Sequence, residues 1–150
     1  MERQRFVTKK MQMVESFCRE QGVPLTVQRR IILETLAART DHPTADHVYD
    51  AVRGVIRGVS RTTVYRVLET FVRLGIVTRV SNPQAKARFD ADMERHHHLI
   101  CTDCDAVTDC HDERLGGIEL PDSVQPGFEV RDFSLAITGL CSSCLKNNVH

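Results

Sequence analysis

Two cysteine pairs, CTDC at Cys101 and Cys104 and CSSC at Cys141 and Cys144, limit what this chain can fold into more than any other feature. Each pair offers two thiolates to one ion, and four sulfurs make the closed tetrahedral shell of a structural zinc. The 36 residues between the pairs are too many for a compact finger, so they predict a small subdomain whose start and end one metal clamps together. Redox use is the competing reading. It calls for a helix N-terminus to lower a thiol pKa, and neither pair has an evident one in the sequence. Cys18 falls on an apolar helical face and is expected to be a buried thiol, while Cys110 is the spare of its half.

Charge divides the chain. The formal net charge is zero, yet residues 1–82 hold 14 Lys and Arg against 8 Asp and Glu, and the remainder holds 6 against 12. The first half is equipped to meet a polyanion. No run approaches the roughly 18 apolar residues of a membrane helix, and MERQRFVTKK is charged with no apolar segment behind it, so a cytoplasmic protein with no membrane partner is expected.

Helical periodicity fills the basic half. Val7, Met11, Val14, Phe17 and Cys18 share one face, and LTVQRRIILETLAAR has Thr26 as cap with Val27, Ile31, Ile32, Leu33 and Leu36 as a core stripe. In HPTADHVYDAVRG, Thr44 is the cap and Gly54 the stop. In VSRTTVYRVLETFVRLG, Ser60 caps, Val64, Val67, Leu68, Phe71 and Leu74 bury one side, and Gly75 lies past the last turn. The opposite side carries Arg61, Thr62, Tyr65 and Arg66, which suits a recognition helix in the major groove. IVTRV, a turn around SNPQAKA, and ARFD then predict a hairpin.

Helices followed by a hairpin make a winged helix-turn-helix, with Lys9, Lys10, Arg29 and Arg30 as expected phosphate contacts. The predicted fold is α+β: a winged-helix DNA-binding domain over 1–82, the wing end and a hinge over 83–90, and a small zinc-stabilised α/β dimerisation domain over 91–150. One recognition helix covers few base pairs, so a two-fold dimer on palindromic double-stranded operator DNA is the expected assembly. Within the second domain, FEVRDFSLAI predicts strands after the turn PDSVQPG.

The ligands left over are His42, His47, Asp90, Asp92, His96, His97, His98, Asp109, His111 and Asp112. If RHHHLI is a strand, His96 and His98 share one face and His97 takes the other. Asp90 ends the wing-like strand, Asp109 follows the first cysteine pair and His42 enters the helix capped by Thr44, so a site drawing on all five would tie the two halves together. Nitrogen and oxygen donors suit Fe(II), Mn(II) or Zn(II). A zinc-stabilised subdomain with a solvent-facing histidine cluster is the plainer alternative. Metal-assisted hydrolysis is a third, although the sequence shows no nucleotide loop.

The ordered motifs LTVQRRIIL, HPTADHVY, SRTTVYRVLETFVRLGIV, ARFD, HHHLICTDC and GLCSSC resemble the ferric uptake regulator superfamily over most of residues 22–144. The resemblance implies a homodimeric repressor that is not an enzyme, with one structural Zn(II) per subunit on Cys101, Cys104, Cys141 and Cys144. It implies one regulatory Fe(II) or Mn(II) per subunit at His42, Asp90, His96, His98 and Asp109, and DNA contacts from Tyr65 and Arg66. Iron-responsive members commonly carry glutamate where this chain has Asp90, so the resemblance is strongest to the peroxide-responsive branch. There, His42 or His96 would be the redox-sensing ring, oxidised to 2-oxo-histidine with release from the operator. A ferrous-iron repressor without peroxide chemistry is the alternative. A third family site is not expected, because Arg95 and Phe133 stand where its histidines would lie. DERLGGIELPDSVQPGF is short and broken by Gly and Pro where relatives carry a fuller helix.

Overall fold

A computed structural model describes residues 1–82, 85–122, 124–131 and 133–148. The chain divides into two compact units, Met1–Met93 and Glu94–His150. The strand ending at Asp90 and the three residues after it thus lie with the first unit, past the expected hinge at 83–90. Pro83 and Gln84 of the expected wing turn, Ser123 of PDSVQPG and Asp132 of FEVRDFSLAI lie outside the described residues.

The first unit holds α1 (Glu2–Gln21), α2 (Val27–Ala37), α3 (Ala45–Val52) and α4 (Arg61–Arg73), then β1 (Thr78–Val80) and β2 (Arg88–Asp90). Three helices start on side-chain caps. Thr26 accepts from the Arg29 amide, Ser60 accepts from the Thr63 amide, and Thr44 forms a reciprocal box with His47, whose ring Nδ1 accepts the Thr44 N–H at 3.3 Å. That bond gives His47 a helix-start role. At the end of α4, Gly75 takes φ 70°, its N–H donates to the Val72 carbonyl and the Ile76 N–H donates to the Phe71 carbonyl. A side chain at this left-handed position would be strained.

Ile32, Leu33, Leu36, Val48, Val52, Val64, Leu68, Phe71 and Phe89 are fully buried and make the core, with Cys18 also buried at its edge. Truncating any one of the larger side chains to Ala costs about 2–5 kcal/mol. Val27 departs from the expected stripe and is 73% exposed. It lies nine positions before Leu36, about half a turn out of phase at 3.6 residues per turn, so the packed face passes it by.

β1 and β2 pair antiparallel with Thr78 opposite Asp90 and Val80 opposite Arg88. A bridge from Thr44 to Arg88 and the Phe89 N–H bond to the Pro43 carbonyl, 3.0 Å, add the chain before α3 to this wing.

The second unit holds β3 (His97–Cys101), β4 (Val107–Cys110), α5 (Glu113–Gly116), β5 (Ala136–Gly139) and α6 (Ser142–Asn147). Its sheet has the order β4-β3-β5, β4 antiparallel and β5 parallel to the central strand. Among the described residues, the strands expected across FEVRDFSLAI form only from Ala136 onward; Phe128 is 56% exposed and outside the sheet. Parallel pairing with β3 selects the segment whose register is fixed by His98 opposite Ala136, a nonlocal constraint that alternation alone cannot locate. Among the described residues, no helix is long and apolar enough to cross a membrane.

Candidate metal centres

The cysteine quartet belongs wholly to the second unit. Cys101 ends β3, Cys104 sits in the turn to β4, Cys141 is the N-cap of α6 and Cys144 lies in that helix. The turn is tight: the Cys101 N–H donates to Ala106, the Asp105 N–H donates to Cys101, and Asp105 has φ 59°. All four cysteines are free thiols with sulfurs within 4.8 Å of one another, and the Cys104 and Cys141 sulfurs are 3.8 Å apart. That is far beyond a disulfide bond of about 2.05 Å. It matches the edge of a tetrahedron with sulfurs about 2.3 Å from a central zinc, which is about 3.8 Å.

Charge agrees with the geometry. Backbone N–H groups of Cys104, Cys141 and Asp103 hold the Cys101 thiol down to about 6, whereas the Asp103 carboxylate, the Cys141 thiol and burial push Cys144 up. Burial and neighbouring thiols oppose ionisation of all four sulfurs at once, so the full thiolate set calls for a cation between them, and the residues present fit zinc. One expectation is corrected: the CSSC pair does lie at a helix start, that of α6. The helix is six residues long, and its first capping position, Cys141, gave no periodic signal in the sequence.

In the first unit, His42 and Asp90 are paired. The His42 Nε2 is 3.1 Å from the Asp90 carboxylate, both are buried, and the other carboxylate oxygen accepts the Asp92 N–H at 2.8 Å. The wing register explains the meeting, because the Phe89 to Pro43 bond sets the residue before Pro43 beside the residue after Phe89. His42 has φ 49°. A residue before proline ordinarily stays in the extended region, and such strain costs about 1–3 kcal/mol and persists only where the surroundings enforce it. Here the Arg88 guanidinium donates to the His42 carbonyl at 3.0 Å and reaches the Asp41 carbonyl at 3.5 Å. Sequence reasoning missed Arg88, since nothing in RFD announces a backbone clamp.

In the second unit, His96, His98 and Asp109 converge. The Nε2 atoms of His96 and His98 are 3.1 Å apart, and the Asp109 carboxylate lies 3.1 Å from His96 and 3.7 Å from His98. Antiparallel pairing puts His98 opposite Asp109, and strand alternation brings His96 to the same face. His96 donates through Nδ1 to the Glu94 carbonyl at 2.6 Å, so in the neutral ring Nε2 carries the lone pair. Two imidazole nitrogens and a carboxylate oxygen converging in this way can share one cation, with the Nδ1 bond to Glu94 fixing the His96 ring. His97 takes the other face, where its Nδ1 accepts the Leu135 N–H at 3.1 Å. The His111 ring packs 5.3 Å from that of His96.

The polar face of α4 presents Arg61, Thr62, Tyr65 and Arg66 to solvent, with Tyr65 set edge-on to Phe89 at 6.5 Å. Arg61 lies over the Tyr49 ring and bonds to Asp46 at 2.7 Å, while Lys86 of the wing turn bonds to the same carboxylate at 2.5 Å. Sequence reasoning overlooked Asp46 and Lys86. Lys9 is exposed, Arg29 donates to the Pro24 carbonyl, and Arg30 is ion-paired with Glu15. Lys10 departs from the expected phosphate contact. Its amine is turned to the Ile76 carbonyl at 2.5 Å, and burial pushes its pKa down against the pull of Asp92 and Asp90.

Comparison with known proteins adds to this geometry. The model of the ferric uptake regulator family matches residues 20–138. The peroxide operon regulator of Bacillus subtilis is 37% identical over 132 residues, covering 88% of this chain and 91% of its own length. The peroxide-responsive repressor PerR of Staphylococcus saprophyticus is 35% identical over 126 residues, 84% of this chain and 85% of its own. Among solved structures, the ferric uptake regulator from Pseudomonas aeruginosa with manganese superposes with a TM-score of 0.68 at 31% identity, covering 85% of this chain and 97% of that one. A zinc uptake regulator complexed with zinc and DNA gives 0.70 at 22% identity over 96% and 98%, a likeness of fold alone.

Proposed function

Because this chain belongs to the ferric uptake regulator family, we propose that it is a metal-responsive, DNA-binding repressor of the cytoplasm whose signal is peroxide. Relatives of 37% and 35% identity that are named peroxide regulators support the branch, as does aspartate at Asp90. The observation that carries the reading is the sorting of donors by type: four thiols in one cluster, and imidazoles with carboxylates gathered apart from them.

The quartet would hold one Zn(II) per subunit and keep the second unit folded, the part that would pair two copies into a homodimer. His42 and Asp90 from the first unit, with His96, His98 and Asp109 from the second, would together hold one regulatory Fe(II) or Mn(II) per subunit. A ferrous ion there would supply the electrons that reduce peroxide, whereas manganese would support repression without that chemistry.

His42 and His96 are the rings whose oxidation ends repression. An oxygen added to the ring to give 2-oxo-histidine weakens it as a donor, and the tie between the DNA-reading and dimerising halves loosens. Arg61, Thr62, Tyr65 and Arg66 would read the operator's major groove while Lys9, Arg29 and Arg30 meet phosphates; two-fold pairing calls for a palindromic site.

The deciding experiment is peptide mass spectrometry of the ferrous protein after one equivalent of peroxide. A gain of one oxygen atom confined to peptides bearing His42 or His96, with loss of operator binding, is expected. An unmodified protein that still requires iron to bind DNA would make it an iron co-repressor sensor instead.

A further inference from the structure

His96, just before β3, and His98 within it turn their imidazoles to one face, and His97 turns a third to the other. His97, between them, is 3% exposed and belongs to neither donor set described above. Its ring is held from two directions: Nδ1 accepts the Leu135 N–H at 3.1 Å, and the Phe133 ring lies tilted 30° to it with centroids 5.9 Å apart. The Phe133 ring is covered in turn by the Arg95 guanidinium, 4.4 Å from its centroid. One residue on, the His98 N–H donates to the Leu135 carbonyl at 3.1 Å.

The chain thus returns on itself in a closed loop of contacts. Arg95 precedes His96, Phe133 precedes Leu135, and Leu135 is bonded to both His97 and His98 before β5 begins at Ala136. A strand end would otherwise fray, and the imidazole of His96 lies just outside the regular strand. Cation, aromatic ring and imidazole are thus in contact one after another, and each contact favours the next: guanidinium on a ring face is attracted by its quadrupole, and the fixed ring limits the freedom of the histidine beside it.

We propose that Arg95, Phe133 and His97 form a clasp that sets the positions of His96 and His98 before any ion arrives. This rests on the functional reading above, in which those two imidazoles are metal donors. The three are positioning residues. Groups behind metal ligands that fix their orientation typically govern affinity by about 10–100-fold. The Phe133 ring supplies something a merely apolar side chain of similar volume cannot, namely a face that both the guanidinium and the imidazole can meet.

Two substitutions separate the face from the volume. Phe133→Leu keeps an apolar side chain but loses the ring, and Phe133→Tyr keeps the ring. Both are measured on the full chain carrying zinc, first by hydrogen exchange without added metal and then by Mn(II) titration. In Phe133→Leu the Leu135 and His98 amides should exchange at least about tenfold faster, and Mn(II) affinity should fall about tenfold, with zinc content unchanged. Phe133→Tyr should restore both to within about twofold of the parent, and Arg95→Gln should weaken Mn(II) binding about threefold.

Unchanged exchange in Phe133→Leu overturns the clasp. So does faster exchange with unaltered manganese affinity, or a Phe133→Tyr protein as impaired as Phe133→Leu. Loss of zinc along with manganese overturns it too, by making Phe133 a residue of general folding. A parent chain that takes up no Mn(II) beyond its zinc sinks the functional reading instead, and the exchange measurement still decides the clasp.

Discussion

Replacing Arg88 by Met tests whether the left-handed His42 backbone is held from outside. The substitution keeps the aliphatic stem but removes the donor that reaches the His42 carbonyl at 3.0 Å. A hydrogen bond from a charged group contributes about 1.5–3 kcal/mol, and partial exposure of this guanidinium discounts that to about 1–2 kcal/mol. With the strain at φ 49° no longer opposed, His42 can relax toward the extended region and leave Asp90. The loss corresponds to about 5- to 30-fold in affinity for Mn(II). An opposing effect exists, because removing a positive charge near a cation site favours binding. At ~10 Å in water and physiological salt that amounts to a few tenths of a kcal/mol, so the loss of the clamp prevails. Mn(II) titration with zinc content as control reads the result, and Arg88→Lys should recover part of the affinity. Affinity within about twofold of the parent, at both low and high salt, would refute the clamp.

Asp90→Ala or His98→Ala should abolish metal-dependent operator binding while zinc stays bound, as seen by gel shift alongside metal analysis. Zinc binding near pH 7 should release at least two protons per ion, since Cys144 is pushed up and Cys104 is raised; calorimetry in buffers of different ionisation enthalpy counts them, and fewer than one would contradict the quartet. Asp46→Asn frees Arg61 and Lys86 from their shared carboxylate, so affinity for random duplex should rise several-fold and fall more steeply with salt. Lys9→Met should reduce the salt dependence of DNA binding by about one phosphate contact whereas Lys10→Met leaves it unchanged, because only the Lys10 amine is turned inward to Ile76.

Local chemistry was legible in the sequence. Thr26, Thr44 and Ser60 cap helices because a hydroxyl before an apolar periodic run has few other uses, and Gly75 ends α4 in the conformation glycine permits. The alternation in RHHHLI put His96 and His98 on a common face, whereas the register that sets Asp109 opposite His98 comes from the antiparallel pairing of β3 with β4. What escaped depends on long-range partners. β5 is defined by parallel pairing to a strand some 40 positions earlier, the Arg88 clamp needs the chain before α3 folded against the wing, and the Lys10 amine turns inward because a carbonyl 66 positions away accepts it. A short helix at Ser142 left no periodic trace, so the setting of the second cysteine pair could not be read.

β2 has three residues, and each has a different duty: Arg88 clamps a backbone, Phe89 fills the core at 0% exposure, and Asp90 faces an imidazole. Side chains alternate along a strand, so sliding this one by a single place would drive a guanidinium or a carboxylate into the slot of Phe89. Insertions and deletions in this region should therefore be absorbed by the wing tip and excluded from the triplet Arg88–Phe89–Asp90. A deletion series across residues 81–90, scored by soluble yield, would map that intolerance as a sharp fall in yield at the last three positions.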